Sequence, residues 1–142
     1  MTPQRITMIT LAVRDLVRSR EFYAKLGWQE AGGGNDIIAF YEIAGQYFSL
    51  YHQDALAKDL ARQIPTPATG SVTLAINYMS KKDVDEVFAT ALAAGAEAIT
   101  KPDEVFWGGY SGNFTDPDGH LWEVAYNPFW ALDDCGQIVH KP

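Results

Sequence analysis

Apolar residues recur along this chain with two periods, about 2 for strands and about 3.6 for helices. Over residues 6–13 the large side chains alternate. Ile9, Leu11 and Val13 share one face, and Met8, Thr10 and Ala12 share the other. Asp15 then predicts a helix cap ahead of Leu16, Phe22, Tyr23 and Leu26, and Gly27 predicts the stop. Residues 28–30 read as a short strand, and Gly32, Gly33 and Gly34 as a turn. Residues 36–43 and 46–51 read as a hairpin around Ala44 and Gly45. Asp54 predicts the start of a short helix reaching about Arg62. Pro65, Pro67 and Gly70 predict a linker.

The pattern then restarts. Residues 72–76 (VTLAI) echo residues 9–13 (ITLAV). Ser80 and Asp83 have capping-box spacing. Val84, Val87, Phe88, Ala91 and Leu92 follow at helical intervals, and Gly95 ends them. Residues 96–100, 105–114 and 121–126 read as three closing strands. The expected fold is therefore α+β: one βαβββ module over about 5–64, a second over about 70–128, and a tail at 129–142. Two such modules can pair curved mixed sheets into a cup around one central space.

The stretch before the tail sets the faces. Asp116-Pro117-Asp118-Gly119 has the chemistry of a tight turn between strands, with proline presetting φ and glycine free to take a positive φ. Beyond it, Trp122, Val124 and Tyr126 share one parity, and Leu121, Glu123 and Ala125 the other. The first set is large and apolar, so it predicts core, together with Ile9, Leu11, Val13, Val72, Leu74 and Ile76 beneath the helices. The opposite parity gathers Met8, Thr10, Tyr47, Ser49, Tyr51, Ser71, Thr73 and Glu123. That set is small and mixed, and suits a concave ligand face. Trp107 and Tyr110 flank Gly108 and Gly109, where a bend lets a ligand approach, and are expected as pocket walls. Glu123 in mid-strand is costly unless it faces water, a partner or a ligand. It reads equally as a structural acid paired to Arg, Tyr or a backbone donor, and as a ligand contact.

Composition narrows the classes. The 142 residues are 47% hydrophobic, enough for a proper core. No apolar run approaches the roughly 20 residues of a membrane span, and residues 1–8 have no signal-peptide core. A net charge of −7 without a basic cluster argues against nucleic acid. A single cysteine, Cys135, excludes an internal disulfide and fits a reducing cytoplasm. It reads as a tail thiol without a role, and His120 as a turn residue.

The stretches LAVRDLVRSREFYAKLGW and FTDPDGHLWEVAYNP resemble the vicinal oxygen chelate superfamily, which includes glyoxalase I, extradiol dioxygenases, fosfomycin-resistance enzymes and bleomycin-resistance proteins. The resemblance spans nearly the whole chain. It implies paired modules, usually completed as a homodimer, and in metal-dependent members one His or Glu ligand on each of four strands. The matching positions here are Met8, Ser49, Ser71 and Glu123, of which only the last keeps a ligand side chain. His52, His120 and His140 do not rescue the set. No metal and no cofactor are expected, against the lactoylglutathione lyase or dioxygenase chemistry of metal-dependent relatives. Two functions stay open. One is a metal-independent binding protein for an aromatic or cationic small molecule, an antibiotic included, as in bleomycin-resistance members. The other is a metal-free lyase, isomerase or transferase with Glu123 as general base.

Overall fold

A computed structural model describes residues 2–65 and 70–139. The chain divides into two compact units, Met1–Thr66 and Pro67–Pro142. The link expected at Pro67 and the residue His140 lie outside the described residues.

The first unit runs β1 (Met8–Val13), α1 (Leu16–Lys25), β2 (Glu30–Ala31), β3 (Ile38–Ile43), β4 (Gln46–His52) and α2 (Gln53–Leu60). Its sheet has the order β1-β4-β3-β2, with β1 parallel to β4 and the other pairs antiparallel. Asp15 caps α1 by accepting from the backbone N–H of Arg18 at 3.1 Å. The helix lays Leu16, Phe22 and Tyr23 on the sheet face that carries Val13, Ala39, Tyr41, Phe48 and Leu50, all buried. Aromatic rings hold this core together edge to face: Tyr23 on Phe48 at 5.5 Å and Trp28 on Phe48 at 5.1 Å between centroids. Trp28, half-buried, therefore packs its ring against this core rather than starting a strand, and β2 begins two residues later. Arg20 ties α1 to β2 through a two-pronged contact with Glu30, at 3.0 and 2.8 Å.

The second unit repeats the plan: β5 (Thr73–Asn77), α3 (Lys81–Ala93), β6 (Glu97–Glu104), β7 (Tyr110–Thr115) and β8 (Leu121–Tyr126), in the sheet order β5-β8-β7-β6. Ser80 and Asp83 form the expected reciprocal cap. Val84, Phe88 and Ala91 of α3 bury against Phe114, Trp122 and Val124, with Phe88 and Phe114 rings 6.3 Å apart. Each unit is thus βαβββ with a mixed four-stranded sheet, the α+β class expected.

Three local expectations change. The strand expected over 105–114 is broken: Val105 and Gly109 close a tight turn, the Val105 N–H donating to the Gly109 carbonyl at 3.0 Å. Only Tyr110 onward is β7, because Gly108 takes φ +93°, outside the strand region. Val72 was expected under a helix but is 68% exposed, since β5 starts one residue later. The cap of α2 is His52, whose Nδ1 accepts from the Asp54 N–H at 3.2 Å, while Asp54 sits in the first turn.

The turn between β7 and β8 is bound through Asp116. The buried Asp116 carboxylate accepts from the N–H groups of Asp118 and His120 at 3.0 and 2.9 Å. Its backbone N–H donates to the His120 carbonyl, its carbonyl accepts from the Gly119 N–H, and Gly119 takes φ +88°. Asp116→Ala removes the acceptor for two backbone donors and should cost about 2–4 kcal/mol in urea unfolding, with Asp116→Asn clearly milder.

Candidate functional site

The sheet faces opposite α1 and α3 carry most of the candidate residues, and each unit presents its own set. In the first unit, register pairs Met8 with Tyr47, Thr10 with Ser49 and Ala12 with Tyr51. The expected grouping of Met8, Thr10, Tyr47, Ser49 and Tyr51 on one face is what strand pairing produces. Ser49 is fully buried, and its hydroxyl shares a 2.7 Å hydrogen bond with that of Thr10. The Tyr51 hydroxyl donates to Asp59 of α2 at 2.7 Å, and that bond holds the phenol above its ordinary pKa. Phe40, across β4 from Ser49, meets Tyr47 edge-on at 6.3 Å and was not singled out by the sequence.

In the second unit the row through Glu123 is Ala75, Glu123, Asn113 and Thr100, one residue from each of β5, β8, β7 and β6. Thr73 lies on the same face, opposite Leu121. Ser71 precedes β5 and is exposed. Glu123 is half-buried in the middle of the sheet, and among the described residues it has neither a hydrogen-bond nor an ion-pair partner. The structural reading, an acid paired to Arg, Tyr or a backbone donor, finds no such partner here. Thr100 Oγ1 donates to Asn113 Oδ1 at 2.9 Å. Asn113 is a candidate on this face that sequence reasoning missed. Counting outward from the Asp116 turn places it directly opposite Glu123, so the signal was present.

Trp107 and Tyr110 were expected to wall one pocket together, and the structure separates them. Tyr110 pairs with Tyr126 on the α3 side. Its hydroxyl donates to Asp85 of α3 at 2.6 Å, and Lys81 of α3 lies 5.7 Å above its ring. The physical reason is parity: Tyr110 stands two and four residues from Gly112 and Phe114, which share the helix side. Trp107 goes the other way. A Cβ built on Gly109 would fall 1.9 Å from the Cη2 and Cζ3 atoms of the Trp107 indole. Gly109 immediately precedes β7 and has the parity of Asn113, and the indole occupies the place of its missing side chain. Phe129 packs likewise on Gly108, whose added Cβ would meet its ring at 3.1 Å.

The four positions of the metal-dependent pattern do not make a divalent-metal donor set. Met8 offers a soft thioether. The Ser49 hydroxyl is engaged with Thr10, and Ser71 offers only another hydroxyl. Glu123 is the one carboxylate. Among the described residues no group of three or more His, Cys, Asp or Glu side chains could hold a metal ion. His52 is occupied as the α2 cap.

A family model of the Glyoxalase/Bleomycin resistance protein/Dioxygenase superfamily matches residues 5–124. The chain belongs to this superfamily. An uncharacterized protein of Mycobacterium bovis is 30% identical over 121 residues, spanning 81% of this chain and 78% of its own length. A glyoxalase-related enzyme from Fulvimarina pelagi superposes with a TM-score of 0.90 at 30% identity, over 99% of this chain and 100% of that one. A lactoylglutathione lyase from Agrobacterium tumefaciens superposes at 0.69 and 21% identity, over 93% and 100% of the two chains, a likeness of fold alone.

Two outcomes test this geometry. Gly109→Ala should expel the Trp107 indole, read as a shifted tryptophan emission that Trp107→Phe abolishes. Tyr110 is held up to about 12 by its hydrogen bond to Asp85, against about 10 for a free phenol. The stability from that bond is complete below about pH 10 and is lost as pH rises through about 12. Absorbance titration should lose one late-ionising phenol in Tyr110→Phe.

Proposed function

We propose that the protein is a metal-independent binder of an aromatic small molecule, held on the sheet face that carries Glu123 and Trp107. One observation carries the reading. A half-buried carboxylate stands in mid-sheet with no partner among the described residues, in the same unit as an indole laid over a glycine of Asn113's parity. A buried acid without a partner is costly, and a ligand donor would offset that cost. The indole offers stacking or cation–π contact to an aromatic or cationic compound. Gly109 and Asn113 are four residues apart, about 13 Å along a strand, so a ligand touching both is elongated. The weak donor set at Met8, Ser49 and Ser71 supports metal independence.

The competing reading keeps the same face and makes Glu123 the general base of a metal-free lyase, isomerase or transferase. It needs a polarising donor for the developing negative charge. Asn113, directly opposite, is the side chain positioned to supply one.

We further propose a cytoplasmic homodimer. The exposed, unpaired Cys135 fits a reducing compartment. Among the described residues no helix is long and apolar enough to cross a membrane. Phe106, Phe129 and Trp130 are exposed at 102%, 74% and 52%, an apolar surface that a second copy would cover.

A fluorescence screen of planar aromatic compounds, cationic and neutral, tests binding. Trp107→Ala and Glu123→Gln should each weaken a hit by about 1–3 kcal/mol. Trp122→Phe should lower stability and leave affinity alone, because Trp122 lies against α3. Binding that survives both face variants but is lost in Trp122→Phe would invert the assignment. Elemental analysis after mild purification should find no stoichiometric nickel, zinc or iron. One equivalent per chain that disappears in Glu123→Gln contradicts metal independence. Light scattering that gives only a 15.7 kDa species would contradict the dimer.

A further inference from the structure

The carboxylate of Glu123 can only accept hydrogen bonds when ionised, whereas an asparagine amide both donates and accepts. Asn113 stands directly opposite Glu123 in the β7–β8 ladder, so both side chains leave the same face. Directly opposed residues have Cβ atoms about 4.5–5.5 Å apart, close enough for one small head group to touch both. Thr100, on the far side of Asn113, settles which end of the amide faces the ligand. Its hydroxyl donates to Asn113 Oδ1 at 2.9 Å. The amide NH2 is therefore the end presented beside Glu123. Among the described residues neither Glu123 nor the Asn113 NH2 has a protein partner. On the β5 side the row ends in Ala75, whose small side chain leaves room over the carboxylate.

We propose that Asn113 determines specificity, and that the Glu123–Asn113 pair takes a neutral head group with a donor and an acceptor side by side, a primary carboxamide or a lactam. This deepens the binding role assigned to the Glu123 face and rests on it. The ligand N–H donates to Glu123, and the ligand carbonyl accepts from Asn113. A plain cation satisfies Glu123 but leaves the Asn113 donor unmatched. A tertiary amide satisfies Asn113 but leaves Glu123 without a donor.

Three nearly isosteric probes separate these cases: benzamide, benzamidine and N,N-dimethylbenzamide, titrated against 15N-labelled full-length protein. The wild type should bind benzamide most tightly, with shifts centred on Ser111, Asn113 and Glu123. Asn113→Leu should weaken benzamide by about tenfold, the order of one hydrogen bond left unmade, and leave benzamidine unchanged. Asn113→Asp keeps the size and the bond from Thr100 but replaces the donor with an acceptor, so it should invert the preference towards benzamidine. A wild-type preference for benzamidine, or a benzamide affinity indifferent to both Asn113 changes, overturns the specificity proposal and leaves the ligand face standing. Probe shifts that avoid this face altogether, with Glu123→Gln silent for all three probes, defeat the ligand face itself and the specificity proposal with it.

Discussion

The buried carboxylate of Asp116 is the interaction on which the second unit depends. It holds the backbone N–H groups of Asp118 and His120. A turn pinned at three residues leaves β7 and β8 one register. In that register Thr115 meets Leu121, Asn113 meets Glu123, and Gly112 meets Val124. A slip of one residue would carry Trp122 and Val124 out of the core and Glu123 into it. Burying Glu123 under α3 without a partner would cost several kcal/mol, on the scale of an uncompensated buried charge. The hydrophobic demand of Phe88, Phe114 and Trp122 and the polar demand of Asp116 therefore select the same pairing.

That pairing gives each strand two faces with different tasks. On the α3 side, aromatic packing and the Tyr110–Asp85 bond stabilise the unit. On the other side, small and polar residues leave a surface with unmet hydrogen-bonding capacity. Glycine extends the second face at Gly109, where the absent Cβ lets the Trp107 indole lie on the backbone. At Gly112 the same absence serves the fold, because an added Cβ would come within 2.9 Å of the Pro102 ring in the bulged edge strand β6. Proline and irregular pairing at that edge also discourage pairing with another chain.

The two units share a plan but use it differently. In the first, the open face ties up its polar groups internally: Thr10 with Ser49, and Tyr51 with Asp59. In the second, Glu123 keeps its capacity for an outside partner. The superfamily to which the chain belongs includes proteins named for quite different activities, and function on a shared fold follows the side chains of the site. In the reading proposed above, those side chains are an acid, an amide and an indole rather than a set of metal ligands.

The sequence by itself determined the βαβββ repeat, the caps at Asp15 and Ser80, the Asp116 turn and the parity of Glu123. Each of these is set by neighbours within a few residues, through backbone sterics, local hydrogen bonds or side-chain alternation. Parity even held the position of Asn113, which needed only a count outward from the turn. What tertiary structure decided was the fate of residues near bends and strand ends. Tyr110 lies with Gly112 and Phe114 by alternation, and the Gly108 turn parted it from Trp107. Trp107 folded back over Gly109. Trp28 left its expected strand for the rings of Tyr23 and Phe48, and Val72 fell outside β5. In each case the outcome turned on where a strand starts or on which distant group a long side chain meets. Chain reversals at glycine and ring packing such as that of Trp28 on Phe48 decide these outcomes, and the alternation of polar and apolar residues does not encode them.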